Sequence, residues 1–523
     1  MSEKEVPKIS VADLARCREV LEHVAADALL LSQISDEERV RLFMAAGKVI
    51  YPDRVQVRRR IKAMRSDKKE KLANKDRTVR AATAIRAARQ HSLFIPPPRV
   101  VHALEVSSSE MATVGHLQRP RECYVCKTAF TQVHFFYDSM CPTCAPFNYE
   151  KRFQTASLQG RVAIITGARL KIGYQAALML LRAGARVLVT TRFPHDAAIR
   201  FSREKDYADF ADRIQVHGLD LRHSPSVEAF TQWVNQTYDR LDILINNAAQ
   251  TVRRPPGFYS HLMEIESSPV TALPAAAQSI LKGHEELKHL LTGIAPRSAT
   301  ENQPGKIEWL SEWHVGKLQS VPGLTDSAAL SQIPYACDEP EVETLFPAGR
   351  LDADLQQVDE RKMNSWRMAL ADVPTAEMLE VQLVNSVAPF ILCAKLKPLM
   401  LKDSTGEKHI VNVSAMEGKF SRHTKTDKHP HTNMAKAALN MMTLTSARDY
   451  AKDGIFMNAV DTGWVTDEDP AELSSKKQQA HDFQPPLDIV DGAARICDPF
   501  FSGMLSGKHS WGNFLKDYFP TEW

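Results

Sequence analysis

Residues 161–173, RVAIITGARLKIG, constrain the fold more than any other stretch of the chain. Val162 to Ile165 are four consecutive apolar residues, a length that suits a buried strand, and Thr166-Gly167 turns the chain sharply. Lys171-Ile172-Gly173 opens a helix that continues to Arg182, Gly184 ends it, and residues 186–191, RVLVTT, supply a second strand. A strand, a glycine turn and a helix N-terminus gather unpaired N–H groups and the positive end of a helix dipole at one point, which makes an anion site. The pattern is a βαβ unit of the dinucleotide-binding kind.

The 523 residues leave room for two to four domains and a large core. A net charge of +3 hides an uneven distribution. Fourteen Lys/Arg face four acids between residues 51 and 90, so the remaining 483 residues carry −7. That run, rich in Ala and without Gly or Pro after Pro52, suits an extended basic helix over 54–89. It admits a polyanion such as nucleic acid as partner. With no aromatic residues to stack on bases, the favoured reading is a solvated helix packed on the acidic remainder. Before it, Ser10 caps one helix bearing Leu14, Cys17, Leu21, Val24 and Leu29, and Ser35 with Glu38 caps a second. Residues 1–95 thus read as a helical region, and Ile95-Pro96-Pro97-Pro98 as its boundary. No run of about 18 apolar residues occurs and the first residues lack the apolar centre of a signal peptide, so no membrane partner and a cytoplasmic location are expected.

Four of the eight cysteines are clustered as C-x2-C-x14-C-x2-C: Cys123, Cys126, Cys141 and Cys144. Two such knuckles supply four thiolates for a closed tetrahedral zinc site, structural because no coordination position stays open. Phe130, His134, Phe135, Phe136 and Tyr137 would pack this module, residues 118–150, with packing the favoured role of His134 and a substitute ligand its alternative.

Beyond residue 158 two further strands end in Asp220-Leu221 and in Asn246-Asn247-Ala248-Ala249. Leu383-Val384-Asn385, Ile410 to Ser414, Lys436 to Leu439 and 458-NAVDTGWVT-466 follow in order. With the glycine turn, these segments resemble the short-chain dehydrogenase/reductase family over about residues 158–523. The resemblance implies a doubly wound α/β Rossmann fold with a parallel sheet, here preceded by the helical region and the zinc module. It implies an NADP or NAD site at Thr166, Gly167, Lys171, Ile172, Gly173, Arg192, Asp220, Leu221, Asn247, Ala248, Lys436, Gly463, Val465 and Thr466, with Asp220 on the adenine. It implies catalytic positions at Asn385, Ser414, Thr432 and Lys436, and homo-oligomers formed through helices. Arg192, ending Thr190-Thr191-Arg192 where an NAD-preferring member places an acid, favours the 2′-phosphate and hence NADP. An insert over about 250–374, containing Trp309, Trp313 and Trp366, interrupts the resemblance and is read as a lid or a protein-partner surface bordering an unidentified small-molecule substrate, with a partly disordered excursion as the alternative.

Two departures bear on activity. Lys171 replaces the middle glycine of the phosphate turn, reshaping it or adding an ammonium for the phosphates. Thr432 stands four residues before Lys436, where the family has its proton-donating tyrosine, and no tyrosine occurs between Ser414 and Lys436. A threonine hydroxyl is a poor general acid near neutral pH. His423, His429 and His431 lie just before it as substitute donors or as solvated loop residues. The expectation is therefore an oxidoreductase with an altered proton-donor site, or a cofactor-binding protein without turnover that acts on a partner. A nucleic-acid-associated role is the weaker alternative.

Overall fold

The structure is a computed structural model that describes residues 9–91, 93–97, 113–292, 321–335, 342–347, 349–353, 355–422 and 425–523. Trp309, Trp313, Cys337 and His423 lie outside the described residues. The chain divides after Lys75 into two compact units. The first holds α1 (Val11–Ala26), α2 (Asp36–Ile50) and most of α3 (Arg54–Ala81). Ser10 and Ser35 cap α1 and α2 as the sequence indicates, with Asp13 completing a capping box at Ser10. Neither helix buries a residue. The predicted basic helix does not run to 89. It stops at Ala81, and a second piece, α4 (Ala84–Ala88), follows. The reason is tertiary: Arg86 is buried against Asp138 at 2.6 Å, and Arg89 donates to the carbonyls of Pro485 and Leu487. The last cations of the run therefore belong to the second unit's interior, which makes the compact boundary fall at 75 rather than at 95.

The second unit opens with an antiparallel pair, β1 (Thr113–Glu122) and β2 (Ala129–His134), followed by α5 (Cys144–Lys151). A main sheet comes next, built from β3 (Val162–Thr166), α6 (Lys171–Arg182), β4 (Arg186–Thr191), α7 (Pro194–Ser202), β5 (Ile214–Gly218), α8 (Ser224–Thr237) and β6 (Ile243–Asn246). In the insert lie α9 (Ser260–Glu266) and α10 (Ala275–Thr292). The sheet resumes after α11 (Thr375–Gln382), a π-helical turn (Leu383–Val387) and α12 (Ala388–Leu401). It is completed by β7 (Lys408–Ser414), α13 (Pro430–Lys452), β8 (Ile455–Asp461), α14 (Ala471–His481), α15 (Ile489–Ser506), β9 (Phe514–Lys516) and β10 (Phe519–Thr521).

Strand order is β10-β9-β8-β7-β6-β3-β4-β5, parallel throughout except for β10. Strands β3, β6 and β7 are fully buried runs, as a sheet covered on both faces requires. Helices α6 and α15 pack on one face with Leu180, Leu181, Ile496 and Phe500; α8 and α12 pack on the other with Phe230, Val234, Leu392 and Leu396. The stretch Thr375–Leu401 has the length and hydropathy of a membrane span, but half of its apolar window is buried, and α12 sits in the core of this sheet. The order reverses between β3 and β6, so the crevice at their carboxyl ends is the topological switch point where ligands of such sheets bind.

Among the described residues of the insert, α10 is built into the core of the sheet. Ala277, Ile280 and Leu281 of α10 enter one core and Leu287 and Leu291 enter the other, so α10 is a structural helix lying along β5. The cysteine module likewise shares its core. Phe136, Tyr137 and Tyr149 pack with Val465, Leu487, Ile489 and Val490 of the sheet domain. Arg152 is sealed in that seam, 2.6 Å from Asp488 and 2.9 Å from Asp491, with its guanidinium 4.3 Å from the Phe136 ring centroid.

Candidate active site and cofactor crevice

At the end of β3 the chain turns through Gly167, with φ +67°, and a Cβ there would meet the Ala248 Cα at 2.7 Å. The turn and the end of β6 are stitched together. Ala248 N–H donates to the Thr166 hydroxyl, and the Asn247 amide donates to the Thr166 and Gly167 carbonyls at 2.9 and 3.1 Å. Lys171 keeps the left-handed backbone of the glycine it replaces, φ +56°, a conformation costing a side chain roughly 1 kcal/mol. Its ammonium lies 3.9 Å from Asp352 of the insert. Ile172 and Gly173 follow in the first turn of α6, which has no side-chain cap on its N-terminal N–H groups.

Across the switch point, α13 carries Thr432, Lys436 and Asn440 four residues apart, on one buried face. Lys436 donates to the Val413 carbonyl at 2.8 Å, and Ser414 beside it donates to Asn440 at 2.5 Å. Asn385 lies in the π turn, which swings its amide onto the chain beyond β6. It accepts from Gln250 N–H at 2.7 Å and donates to the Gln250 carbonyl at 2.9 Å. Thr432 donates to the next carbonyl, Thr251, at 3.3 Å. The four positions expected to be catalytic thus converge on the carboxyl ends of β6 and β7, each tied to a neighbouring segment. Asn440 was not foreseen as a partner of Ser414, although its spacing from Lys436 carries the helical signal.

Burial pulls the Lys436 ammonium down to about 8, opposed by Glu417 and Asp461, and burial pushes the Asp461 carboxyl up to about 6. Two of the three histidines fall among the described residues: His431 is buried and His429 is partly buried. His429 packs against Trp366 at a 4.0 Å ring separation, and burial brings it down to about 4. His431 is lowered by burial against the opposing pull of Glu377, 4.0 Å from its Nε2. Burial thus disfavours the protonated form of both rings.

On the β4–β5 side, several expected cofactor contacts already have partners within the chain. The Asp220 carboxylate is clasped by Arg222, which also reaches Glu380 at 2.7 Å. Leu221 is buried. Arg192 donates to the Tyr259 hydroxyl at 2.6 Å, and Ser327 of the insert donates to the Arg192 carbonyl. Glu266 accepts from His195 and Asp196 N–H, capping α7 beside this arginine. Beyond β8, Gly463, Val465 and Thr466 line the opposite side, with Thr466 bonded to Glu468 at 3.0 Å and Glu468 to Thr251 at 3.0 Å.

The four cysteine sulfurs lie within 4.8 Å of one another, with Cys126 and Cys141 3.6 Å apart. Sulfurs of a tetrahedral zinc site, at about 2.3 Å from the metal, are separated by a little under 4 Å, so the donor set and its spacing fit. His134 accepts from Phe136 N–H and takes no part in the cluster.

Residues 161–266 match the family model described as short chain dehydrogenase, and residues 361–487 match that described as enoyl-(acyl carrier protein) reductase. The two matches lie on either side of the insert and fall on the segments that build the crevice. A mimivirus protein from Acanthamoeba polyphaga mimivirus, uncharacterized protein R665, is 28% identical over 407 residues, 76% of this chain and 74% of that one. The rhamnolipids-biosynthesis 3-oxoacyl-(acyl-carrier-protein) reductase of Pseudomonas aeruginosa is 30% identical over 151 residues, which is 29% of this chain and only about half, 54%, of that protein's length. The crystal structure of a short chain dehydrogenase from Burkholderia cenocepacia in complex with NADP aligns with 68% of this chain and 96% of its own at 16% identity and a TM-score of 0.40.

Proposed function

We propose that the protein is an NADP(H)-binding oxidoreductase of the short-chain type whose proton-donating group is altered at Thr432, with one structural zinc held by Cys123, Cys126, Cys141 and Cys144. The observation that carries the reading is the convergence of Asn385, Ser414 and the buried Lys436 at the carboxyl ends of β6 and β7. Thr166, Gly167, Lys171, Ile172 and Gly173 would hold the pyrophosphate at the uncapped start of α6. Asn247 and Ala248 would line the adjoining ribose, with Lys436 on the nicotinamide ribose and Arg192 on the 2′-phosphate after exchanging its Tyr259 partner. When bound, the nicotinamide supplies or accepts a hydride. Lys436, holding a proton at Nζ near neutrality, and Ser414 then orient the substrate oxygen, but Thr432 places no acidic group there.

The engaged Asp220 and Arg192, together with Thr432, favour as a second reading a cofactor-binding protein without turnover. Calorimetric titration with NADPH and NADH, followed by assay of the same preparation with a panel of carbonyls and alcohols, tests both. Tight NADPH binding with turnover supports the first reading, and binding without turnover supports the second. Failure to bind either nucleotide refutes both.

A further inference from the structure

Tyr124 sits between the first two cysteines of the metal cluster, yet its side chain leaves that module. Its hydroxyl accepts the Trp464 N–H at 2.9 Å. Gly463, next to it, has φ +77°, and a Cβ there would meet the Tyr124 hydroxyl at 2.9 Å and the Leu487 side chain still closer. The Lys516 ammonium lies 5.3 Å from the ring centroid of Tyr124, opposite the end of β8. Val465 and Leu487 are buried in the same cluster as Cys123, Cys141 and Phe136. The cysteine module is therefore the support on which residues 463–466 rest. Those residues follow β8, on the side of the switch point that also holds Ser414 and Lys436, while the adenosine side lies over β4 and β5. The segment is connected onward to the site: Thr466 and Thr251 both donate to Glu468, and Thr251 accepts from Thr432.

We propose that Tyr124 is a positioning residue for the nicotinamide half of the cofactor site, fixing residues 463–466 so that metal loading of the four cysteines sets affinity for that half of the dinucleotide. This rests on the NADP(H) reading above. Loss of the hydroxyl leaves the Trp464 N–H without its partner and lets the glycine segment relax, while the adenosine side, built by β4, β5 and the insert, stays as it is.

The test uses the full chain as wild type and as Tyr124→Phe, with zinc content determined for each. Both are titrated with NADPH and with 2′,5′-ADP, a probe that lacks the nicotinamide. The expected result is one zinc per chain in both proteins, NADPH binding weakened about tenfold by the substitution, and unchanged affinity for 2′,5′-ADP. Chelation of the metal should give the same selective loss. A role in stability alone would weaken both ligands together, and that result, or equal NADPH affinity in the two proteins, overturns the proposal. Hydrogen exchange at the Trp464 amide provides a readout independent of nucleotide. It should accelerate about tenfold in Tyr124→Phe and on zinc removal, and unchanged exchange overturns the coupling. If wild type binds no NADPH while this acceleration is seen, the cofactor reading falls and the link between metal and segment stands.

Discussion

Replacing Lys436 by methionine tests whether the buried ammonium is kept at a cost to stability. Lys436 is 4% exposed, and burial lowers it from 10.5 to about 8. At roughly 1.4 kcal/mol per tenfold change in proton affinity, carrying the charge below pH 8 costs the folded state about 3 kcal/mol. The hydrogen bond to Val413 returns part of this, so Lys436→Met should be about 2 kcal/mol more stable than wild type at pH 7. The folded protein binds fewer protons than the unfolded chain between about 8 and 10.5, so this component of wild-type stability rises with pH across that window. The advantage of the methionine variant should accordingly shrink by about 2 kcal/mol between pH 7 and 10. Urea unfolding of both proteins at pH 7, 8, 9 and 10 measures the difference, in which the titration of other groups cancels. A difference that stays constant with pH, or a methionine variant that is less stable at pH 7, would show that the amine is not held against a desolvation cost. If the advantage appears while NADPH binding is lost, the lysine is retained for the cofactor rather than for the fold.

Thr432→Tyr restores a phenol one helical turn before Lys436 and should raise carbonyl reduction by about 10²–10⁴-fold in preparations that bind NADPH; no gain with binding intact would mean a site reshaped for binding alone. Arg192→Asp removes the cation at the end of β4 and should reverse the preference from NADPH to NADH in paired titrations; wild type binding NADH more tightly would already refute the assignment. Arg152→Met strands Asp488 and Asp491 in the seam between the cysteine module and α15, and should destabilise the second unit by about 3–5 kcal/mol with earlier zinc release on urea titration. A loss under 1 kcal/mol would show that the seam does not hold the module.

The βαβ unit was legible almost to the residue because its signals are local: four apolar residues, a turn glycine, a helix with one apolar face and a second apolar run. The elements that carry Ser414 and Lys436 were legible as an ordered series, since Ser414 closes an apolar strand and Lys436 lies on a helix. Less legible was whatever depends on partners far along the chain. Arg86 and Arg89 look like the tail of a solvated basic helix, but their acceptors are Asp138, Pro485 and Leu487. Tyr124 looks like a spacer between two ligands, and nothing in its surroundings points to Trp464. The apolar spacing at Ala277, Ile280, Leu281, Leu287 and Leu291 was open to inspection and marks α10 as a core helix. The resemblance that points Asp220 and Arg192 at the cofactor contains no insert to supply Tyr259.

The placement of α10 along β5 bears on the order in which the chain acquires its structure. β5 is the last strand on its side of the sheet, and its outward Gly218 N–H is taken by the His284 imidazole, while Asp220 N–H goes to the Gly323 carbonyl. During synthesis that edge stays uncovered until a further 70 or so residues have left the ribosome, several seconds at roughly 5–20 residues per second. The neighbour of β6 comes later still, because β7 begins only at Lys408. The nascent protein therefore passes through a stage in which a four-stranded sheet, β6-β3-β4-β5, is exposed at both margins, the condition most open to pairing with another chain. Ribosome-stalled chains ending just before and just after α10 should differ sharply in protease resistance, and equal resistance would show that the helix does not close the edge.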